Sequence, residues 1–235
     1  MQDLYSHLRT QAYAGRGIIL GVTPSGRAAL AYFIMGRSAS SRARRFFREG
    51  DDLIIKSIAD GDPEHPELII YAPLRVLGNR IIVTNGDQTD TVYDGLRLGG
   101  SFESALRTRC FEPDPPHYTS RISGLIALEK ELRYTLSILK AGDAEGRTCV
   151  RQFFDYEAEP GAGHYIHTYS GTAHTEYGDV LLPFAGEPLK VMIPDDIGEF
   201  TDTVWNGINE DNKVALYVRI TDRSGRYEDR LVNKY

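Results

Sequence analysis

Ile81-Ile82-Val83-Thr84-Asn85-Gly86-Asp87-Gln88-Thr89-Asp90-Thr91 is the stretch on which the reading of this chain turns. Its opening apolar run has the length of a buried strand. Asn85-Gly86 is a turn signal. From Thr89 onward, Val92, Leu96 and Leu98 recur at approximate helical spacing. A strand therefore ends in a polar turn that feeds a helix. Hydroxyl, carboxylate and amide side chains concentrated where a strand stops are the usual material of a small-molecule site. In isolation the same residues also describe a tight turn with Asp87 or Thr89 capping the helix.

Working outward, residues 15–23 read as a strand centred on Ile18-Ile19-Leu20. Pro24-Ser25-Gly26 reads as a turn, and residues 27–35 as a second strand, so the two form a hairpin. Residues 36–51, rich in Arg and Ser, read as a long loop. Strand signals recur at residues 53–58, 68–71 and 80–84. After the helix that starts at Thr89, residues 101–109 form a second one, capped by Ser101 behind Gly99-Gly100. Glu112-Pro113-Asp114-Pro115-Pro116 opens a proline-rich loop. Residues 121–131 and 133–140 read as adjacent strands, 147–156 and 164–169 as another pair. Residues 170–188 read as a loop, 195–207 as a helix and 214–220 as a late strand. Strands come in consecutive groups and do not alternate with helices. This predicts an α+β fold of stacked, mostly antiparallel sheets covered by helices, and argues against a doubly wound parallel sheet. No repeat or composition break divides the chain: residues 1–14 read as an N-terminal extension and 15–235 as one domain.

Composition narrows the function classes. The 235 residues carry a net charge of -6, which disfavours a nucleic-acid binder. No apolar run is long enough to cross a bilayer. Residues 1–14 lack the apolar core of a signal peptide. Two cysteines, Cys110 and Cys149, are too few for a disulfide scaffold. The expected compartment is the cytoplasm. Exposed edges of antiparallel sheets allow a homo-oligomer.

Candidate chemistry is spread along the chain. There is no GxxxxGK[ST] loop, and Gly15, Gly17 and Gly21 lie inside a strand, away from any strand-to-helix turn. His164 and His167, three apart in a strand, point to opposite faces, so no metal site is expected. Ser101 reads as a cap, and Cys110 as a small apolar group at a helix end. Arg37, Arg42, Arg44 and Arg45 crowd into nine residues of an acidic protein. That density points to an anion, whose oxygens guanidinium forks match. Glu112 precedes Pro113, which restricts it to an extended conformation and fixes its direction.

Together these segments resemble the archaeal-type inosinate (IMP) cyclohydrolases and their bacterial relatives. The matching stretches are Gly15-Arg16-Gly17-Ile18 with Gly21; Tyr32 through Met35-Gly36-Arg37-Ser38 to Ser41-Arg42; Ile70-Tyr71 with Arg75; Thr84-Asn85-Gly86 with Thr89-Asp90-Thr91; and Glu112-Pro113-Asp114 leading to Tyr118-Thr119 and Arg121-Ile122. They fall in family order over roughly residues 15–125. The resemblance implies an Ntn-hydrolase-like four-layer αββα sandwich that works without an N-terminal nucleophile. It implies closure of 5-formamidoimidazole-4-carboxamide ribotide to IMP with loss of water, the last step of purine synthesis, with no cofactor or metal. Carried over residue by residue, Arg42, Tyr71 and Glu112 are the catalytic candidates. Arg37, Asn85, Gly86, Thr89, Asp90, Tyr118, Thr119 and Arg121 are the candidates for holding the purine ribotide. The more basic Ala43-Arg44-Arg45 and the weaker match of the C-terminal third depart from the family pattern. Two other readings stay open: a non-catalytic ribotide binder, and an Ntn-type amidohydrolase acting on another amide.

Overall fold

The computed structural model describes residues 3–58, 71–175 and 178–235. Its strands are β1 (Arg16–Val22), β2 (Ala28–Met35), β3 (Arg44–Glu49), β4 (Asp52–Ser57), β5 (Tyr71–Leu77), β6 (Arg80–Thr84), β7 (Arg121–Ala127), β8 (Arg133–Ala141), β9 (Cys149–Glu157), β10 (Ala162–His167), β11 (Tyr169–Thr175), β12 (Gly178–Pro183), β13 (Leu189–Met192), β14 (Lys213–Thr221) and β15 (Tyr227–Asn233). The helices are α1 (Leu4–Arg9), α2 (Ala39–Arg42), α3 (Gln88–Arg97), α4 (Phe102–Leu106) and α5 (Ile197–Gly207). One sheet has the order β13-β10-β1-β2-β14-β15 and a second the order β3-β4-β5-β6-β7-β8-β9; β11 and β12 form a separate ribbon. Every pairing is antiparallel.

Strand periodicity explains the layering. In β1, Ile18 and Leu20 face the second sheet, while Ile19 faces α1 and α5. In β2, Leu30, Tyr32 and Ile34 enter the inter-sheet core, and Ala29, Ala31 and Phe33 the core under the helices. A strand buried on both faces has no polar side to show, which is why Ala-Ala-Leu-Ala-Tyr-Phe-Ile-Met is apolar throughout. The outer face of the seven-stranded sheet puts Ile82 and Leu139 against Val92 and Leu96 of α3 and Phe102 and Leu106 of α4. The protein is thus α+β, with two large antiparallel sheets sharing one core and helices on the outer faces. No helix among the described residues is long and apolar enough to cross a membrane.

Several elements depart from the sequence reading. Residues 36–51 are not one loop: α2 forms behind a Ser38 capping box, and β3 follows as an edge strand. In β3, Arg44 and Phe46 point inward and Arg45 and Phe47 outward. Arginine at an inward position disguises the alternation. Residues 147–156 and 164–169 do not pair; β9 joins β8 and β10 joins β1 and β13. Residues 170–188 contain the β11–β12 ribbon, held by backbone hydrogen bonds that its polar, glycine-bearing sequence does not advertise. Cys110 is exposed, not buried. Residues 68–70 of the strand read at 68–71 lie outside the described residues. The first-turn helix α1 buries Leu4 and Leu8 in the core with α5.

Candidate active site

Thr84, where β6 ends, begins a hydrogen-bonded turn. Its hydroxyl donates to the Gly86 carbonyl (2.8 Å) and meets the Thr89 hydroxyl (2.7 Å). Asn85 stitches this turn to β7: its side-chain carbonyl accepts from the Ile122 amide (2.9 Å) and its amide donates to the Ser120 carbonyl (2.8 Å). Gln88 then donates to Asn85 (3.0 Å). A Cβ at Gly86 would stand 2.6 Å from both Arg121 Nη1 and Gln88 Oε1, so glycine is what lets the arginine pass. Asp87 occupies the cap position of α3, but its side chain makes no cap hydrogen bond. It takes Arg121 Nη1 (2.6 Å) and Arg109 Nη2 (2.5 Å) instead. The capping reading of Asp87 and Thr89 therefore fails: two nearby guanidiniums outbid the backbone for the carboxylate, and the Thr89 hydroxyl donates back to the Gly86 carbonyl (3.0 Å).

The proline-rich loop is closed just as tightly. The Glu112 amide donates to the Thr119 carbonyl (2.8 Å). Asp114 accepts from the Thr119 amide (2.7 Å) and hydroxyl (2.5 Å), and the Asp114 carbonyl accepts from the His117 and Tyr118 amides. These contacts hold Tyr118 at φ +43°, a left-handed conformation that a tyrosine rarely adopts. The result fixes Glu112 as a carboxylate that is 3% exposed.

Around Glu112 the strand ends converge. Arg16 from β1, Arg44 from β3 and Arg121 from β7 all act on it, with Asp114 from its own loop. Burial pushes the Glu112 carboxyl above its usual range; Arg16, Arg121 and Arg44 pull it back, and Asp114 adds to the rise. Burial works against the charge on Arg16, but Glu112 and the phenols of Tyr71, Tyr13 and Tyr169 outweigh it and hold that guanidinium well above its ordinary value. Arg44 is lowered, by burial and then by repulsion from Arg16. The Tyr71 and Tyr32 hydroxyls meet at 3.0 Å across the two sheets. Burial first, then Tyr71, drives the Tyr32 phenol well above its normal value.

The hydrogen-bond accounting is incomplete only in places. Glu112 Oε1, Arg16 Nε, Arg121 Nε and Ser120 Oγ are buried with no protein partner. A buried polar atom left unmatched costs about 1–3 kcal/mol. Two of these donors belong to arginines that act on Glu112, whose own oxygen is the unmatched acceptor.

The structure distributes the expected residues unevenly. Tyr71 and Glu112 both face Arg16, and Arg121 and Gly86 border Glu112. Asn85 and Thr89 are buried scaffolding of the turn. Thr119 links Asp114 to the Tyr169 hydroxyl (2.5 Å). Arg42 donates from Nε to the Gly36 carbonyl (3.0 Å) and from Nη2 to Asn212 (3.3 Å). Arg37 is exposed and lies over the Tyr13 ring at 4.8 Å. Asp90 pairs with Arg75 (2.8 Å) on the outer side of α3, and Tyr118 packs edge-on against Phe111. Arg16, Tyr32, Tyr13 and Tyr169 carry no individual role in the sequence reading, Asp87 enters it only as part of the polar turn, and Arg44 only as one of the arginines expected to face an anion. A signal for two of them exists: Arg16 shares strand parity with Ile18 and Leu20, and Arg44 with Phe46, so both arginines sit in series with core positions.

Stacked antiparallel sheets thus gather guanidiniums, phenols and a buried carboxyl at one set of strand ends. Comparison with known proteins takes this further. The chain belongs to the IMP cyclohydrolase-like protein family, whose model matches residues 13–225. An IMP cyclohydrolase of Methanocaldococcus jannaschii is 23% identical over 215 residues, 91% of this chain and 96% of that protein. One from Methanococcus maripaludis is 25% identical over 169 residues, 70% of this chain and 78% of the relative. One from Methanopyrus kandleri is 32% identical over 114 residues, covering 47% and 57%.

Proposed function

We propose that this protein is an IMP cyclohydrolase, closing 5-formamidoimidazole-4-carboxamide ribotide to IMP with release of water, in the cytoplasm. The observation that carries the reading is the unmatched set Glu112 Oε1, Arg16 Nε and Arg121 Nε. A primary carboxamide supplies what that set lacks, N–H for the carboxylate and a carbonyl oxygen for a guanidinium. Family membership supports the same conclusion. The two stacked sheets with outer helices support the Ntn-hydrolase-like αββα sandwich that the resemblance implies.

The carboxamide nitrogen attacks the formyl carbon of the same molecule, forming the new N–C bond. Glu112 accepts one proton from that nitrogen, and the formyl oxygen becomes a hydroxyl by protonation. The former formamide N–H then gives up its proton as the hydroxyl departs as water, leaving the C=N bond of the ring. A carboxyl raised above its usual range by burial suits Glu112 both to take a proton and to return it. Holding the two groups in a reactive conformer contributes up to about 7–11 kcal/mol. A cation aimed at the developing oxyanion adds roughly 3–4 kcal/mol. Two arginines compete for that role: Arg42, implied by the resemblance, and Arg16, which faces both Tyr71 and Glu112. Tyr71 donates to the same oxygen, and Arg37 at the rim receives the phosphate. Asn85, Gly86, Thr89, Asp90, Tyr118, Thr119 and Arg121 bind or frame the ribotide.

Incubation of the protein with the formylated ribotide tests this, read by absorbance and by mass of the product. Ring closure that falls away in Glu112→Gln is expected. Tight binding without ring closure would move the protein to the class of ribotide-binding paralogues. Hydrolysis of a different amide would favour an amidohydrolase.

A further inference from the structure

We infer that Asp87 is a positioning residue, and that the chain Arg109–Asp87–Arg121 sets the charge felt by Glu112. The geometry is continuous. Arg109 Nη2 donates to one Asp87 oxygen (2.5 Å), and Arg121 Nη1 donates to the other (2.6 Å). The same Nη1 also donates to Gln88 Oε1 (2.7 Å), so Arg121 keeps a second anchor on the turn. Arg121 is 5% exposed, and its Nε has no protein partner. The site that a Cβ on Gly86 would occupy lies 2.6 Å from Arg121 Nη1 and 3.6 Å from Glu112 Oε1. The guanidinium therefore stands beside the reactive carboxyl with one edge committed to Asp87 and another left free.

Electrostatics gives the arrangement a purpose. A lone Arg121 would hold Glu112 ionised, a poor state for a group that must also return a proton. Asp87 offsets part of that charge, and Arg109 offsets part of Asp87 in turn. Consistent with this, burial alone would raise the Asp87 carboxyl, but Arg109 and Arg121 outweigh it and bring it below its usual range. The other charged groups on Glu112 are Arg16 from β1, Arg44 from β3 and Asp114 from its own loop, and none of them belongs to this chain of contacts.

The inference takes its catalytic meaning from the cyclohydrolase reading, but its test does not need substrate. The Glu112 carboxyl carbon is titrated by 13C NMR in protein labelled at glutamate, with the signal assigned by its loss in Glu112→Gln. In Asp87→Asn, the uncompensated Arg121 raises the Glu112 dissociation constant by roughly three- to tenfold. In Arg109→Met, the uncompensated Asp87 lowers it by a similar factor. Asp87→Glu retains the wild-type midpoint. Opposite displacement in the two variants cannot come from a general loosening of the turn, which moves both the same way. Thermal melts show that each variant remains folded at the titration temperature. Identical midpoints in all four proteins, or displacement in one common direction, would overturn the inference. If the displacements occur but the ribotide is not cyclised, the electrostatic link stands and the functional reading falls.

Discussion

Two buried arginines occupy contrasting places in this molecule. Arg219, in β14, is 3% exposed. Its Nε donates to the Tyr217 hydroxyl (2.8 Å), its Nη2 donates to the Asp51 carbonyl (2.7 Å), and its guanidinium lies over the Tyr227 ring at 3.9 Å. Arg121, in β7, is as deeply buried but leaves Nε unmatched, and the Glu112 carboxyl that its guanidinium acts on also has an unmatched oxygen. Burial and residue type are the same. What differs is whether the hydrogen-bond capacity is spent inside the protein. Arg219 belongs to the fold, whereas Arg121 and its neighbours keep capacity for something that is not protein. The contrast separates an arginine whose donors are spent on the fold from one that the proposed function puts to use, without reference to the family.

Substitutions sharpen that contrast. Glu112→Gln is expected to have the largest effect, a loss of about 10²–10⁴ in cyclisation rate with the ribotide still bound, measured by single-turnover absorbance and by calorimetry. Its stability should fall modestly, because Arg16, Arg121 and Arg44 lose the carboxyl that offsets their charge. Next comes Arg16→Ala, with an expected loss of roughly 10²–10³ if Arg16 serves the oxyanion. Arg42→Ala in parallel decides between the two cations: the larger loss identifies the one that meets the reacting oxygen. Arg219→Met should do the reverse of both. Loss of the donors to the Asp51 carbonyl and the Tyr217 hydroxyl costs about 1–3 kcal/mol in denaturant unfolding, while cyclisation stays within about twofold of wild type.

The smallest expected effects are in pH dependence, and they carry opposite signs. His167 is buried against Phe184 and Tyr165, and burial brings it from 6.5 to about 4. A histidine depressed by folding contributes stability that is present above the unfolded value and lost as pH falls from 6.5 towards 4. Glu112 is raised by folding, so its contribution is fully present below 4.5 and is lost as pH climbs through its folded value. Unfolding midpoints across pH should therefore rise from acid towards neutrality less steeply in His167→Gln, and decline less at higher pH in Glu112→Gln. Unchanged curves in both variants would mean that neither group titrates where burial places it.

How much of this was legible beforehand depended on what kind of signal each residue gave. The hairpin of β1 and β2, the strand ending at Thr84, the helices after it and the α+β class all followed from apolar periodicity. The second helix was read too long: residues 101–109 carry the helical pattern, but α4 stops at Leu106, and Glu112 enters its proline-fixed loop from an irregular stretch. Edge and ribbon strands did not follow, because β3 carries arginine at inward positions and β11 with β12 buries few apolar residues. The capping alternative for Asp87 fails because capping is a local rule, and its two partners lie 22 and 34 residues away. Arg16 was quoted within a matching segment and given no task. Its parity with Ile18 and Leu20 places a charge in a row of core positions, a broken local rule for which the proposed function offers a reason.

The most direct test pairs wild type with Glu112→Gln in one assay of the formylated ribotide, following both ring closure and binding. The account predicts conversion to IMP by the wild-type protein and a bound but unconverted ribotide in the variant. Equal rates in the two proteins would contradict it, because the carboxyl with its unmatched oxygen would then have no part in the chemistry.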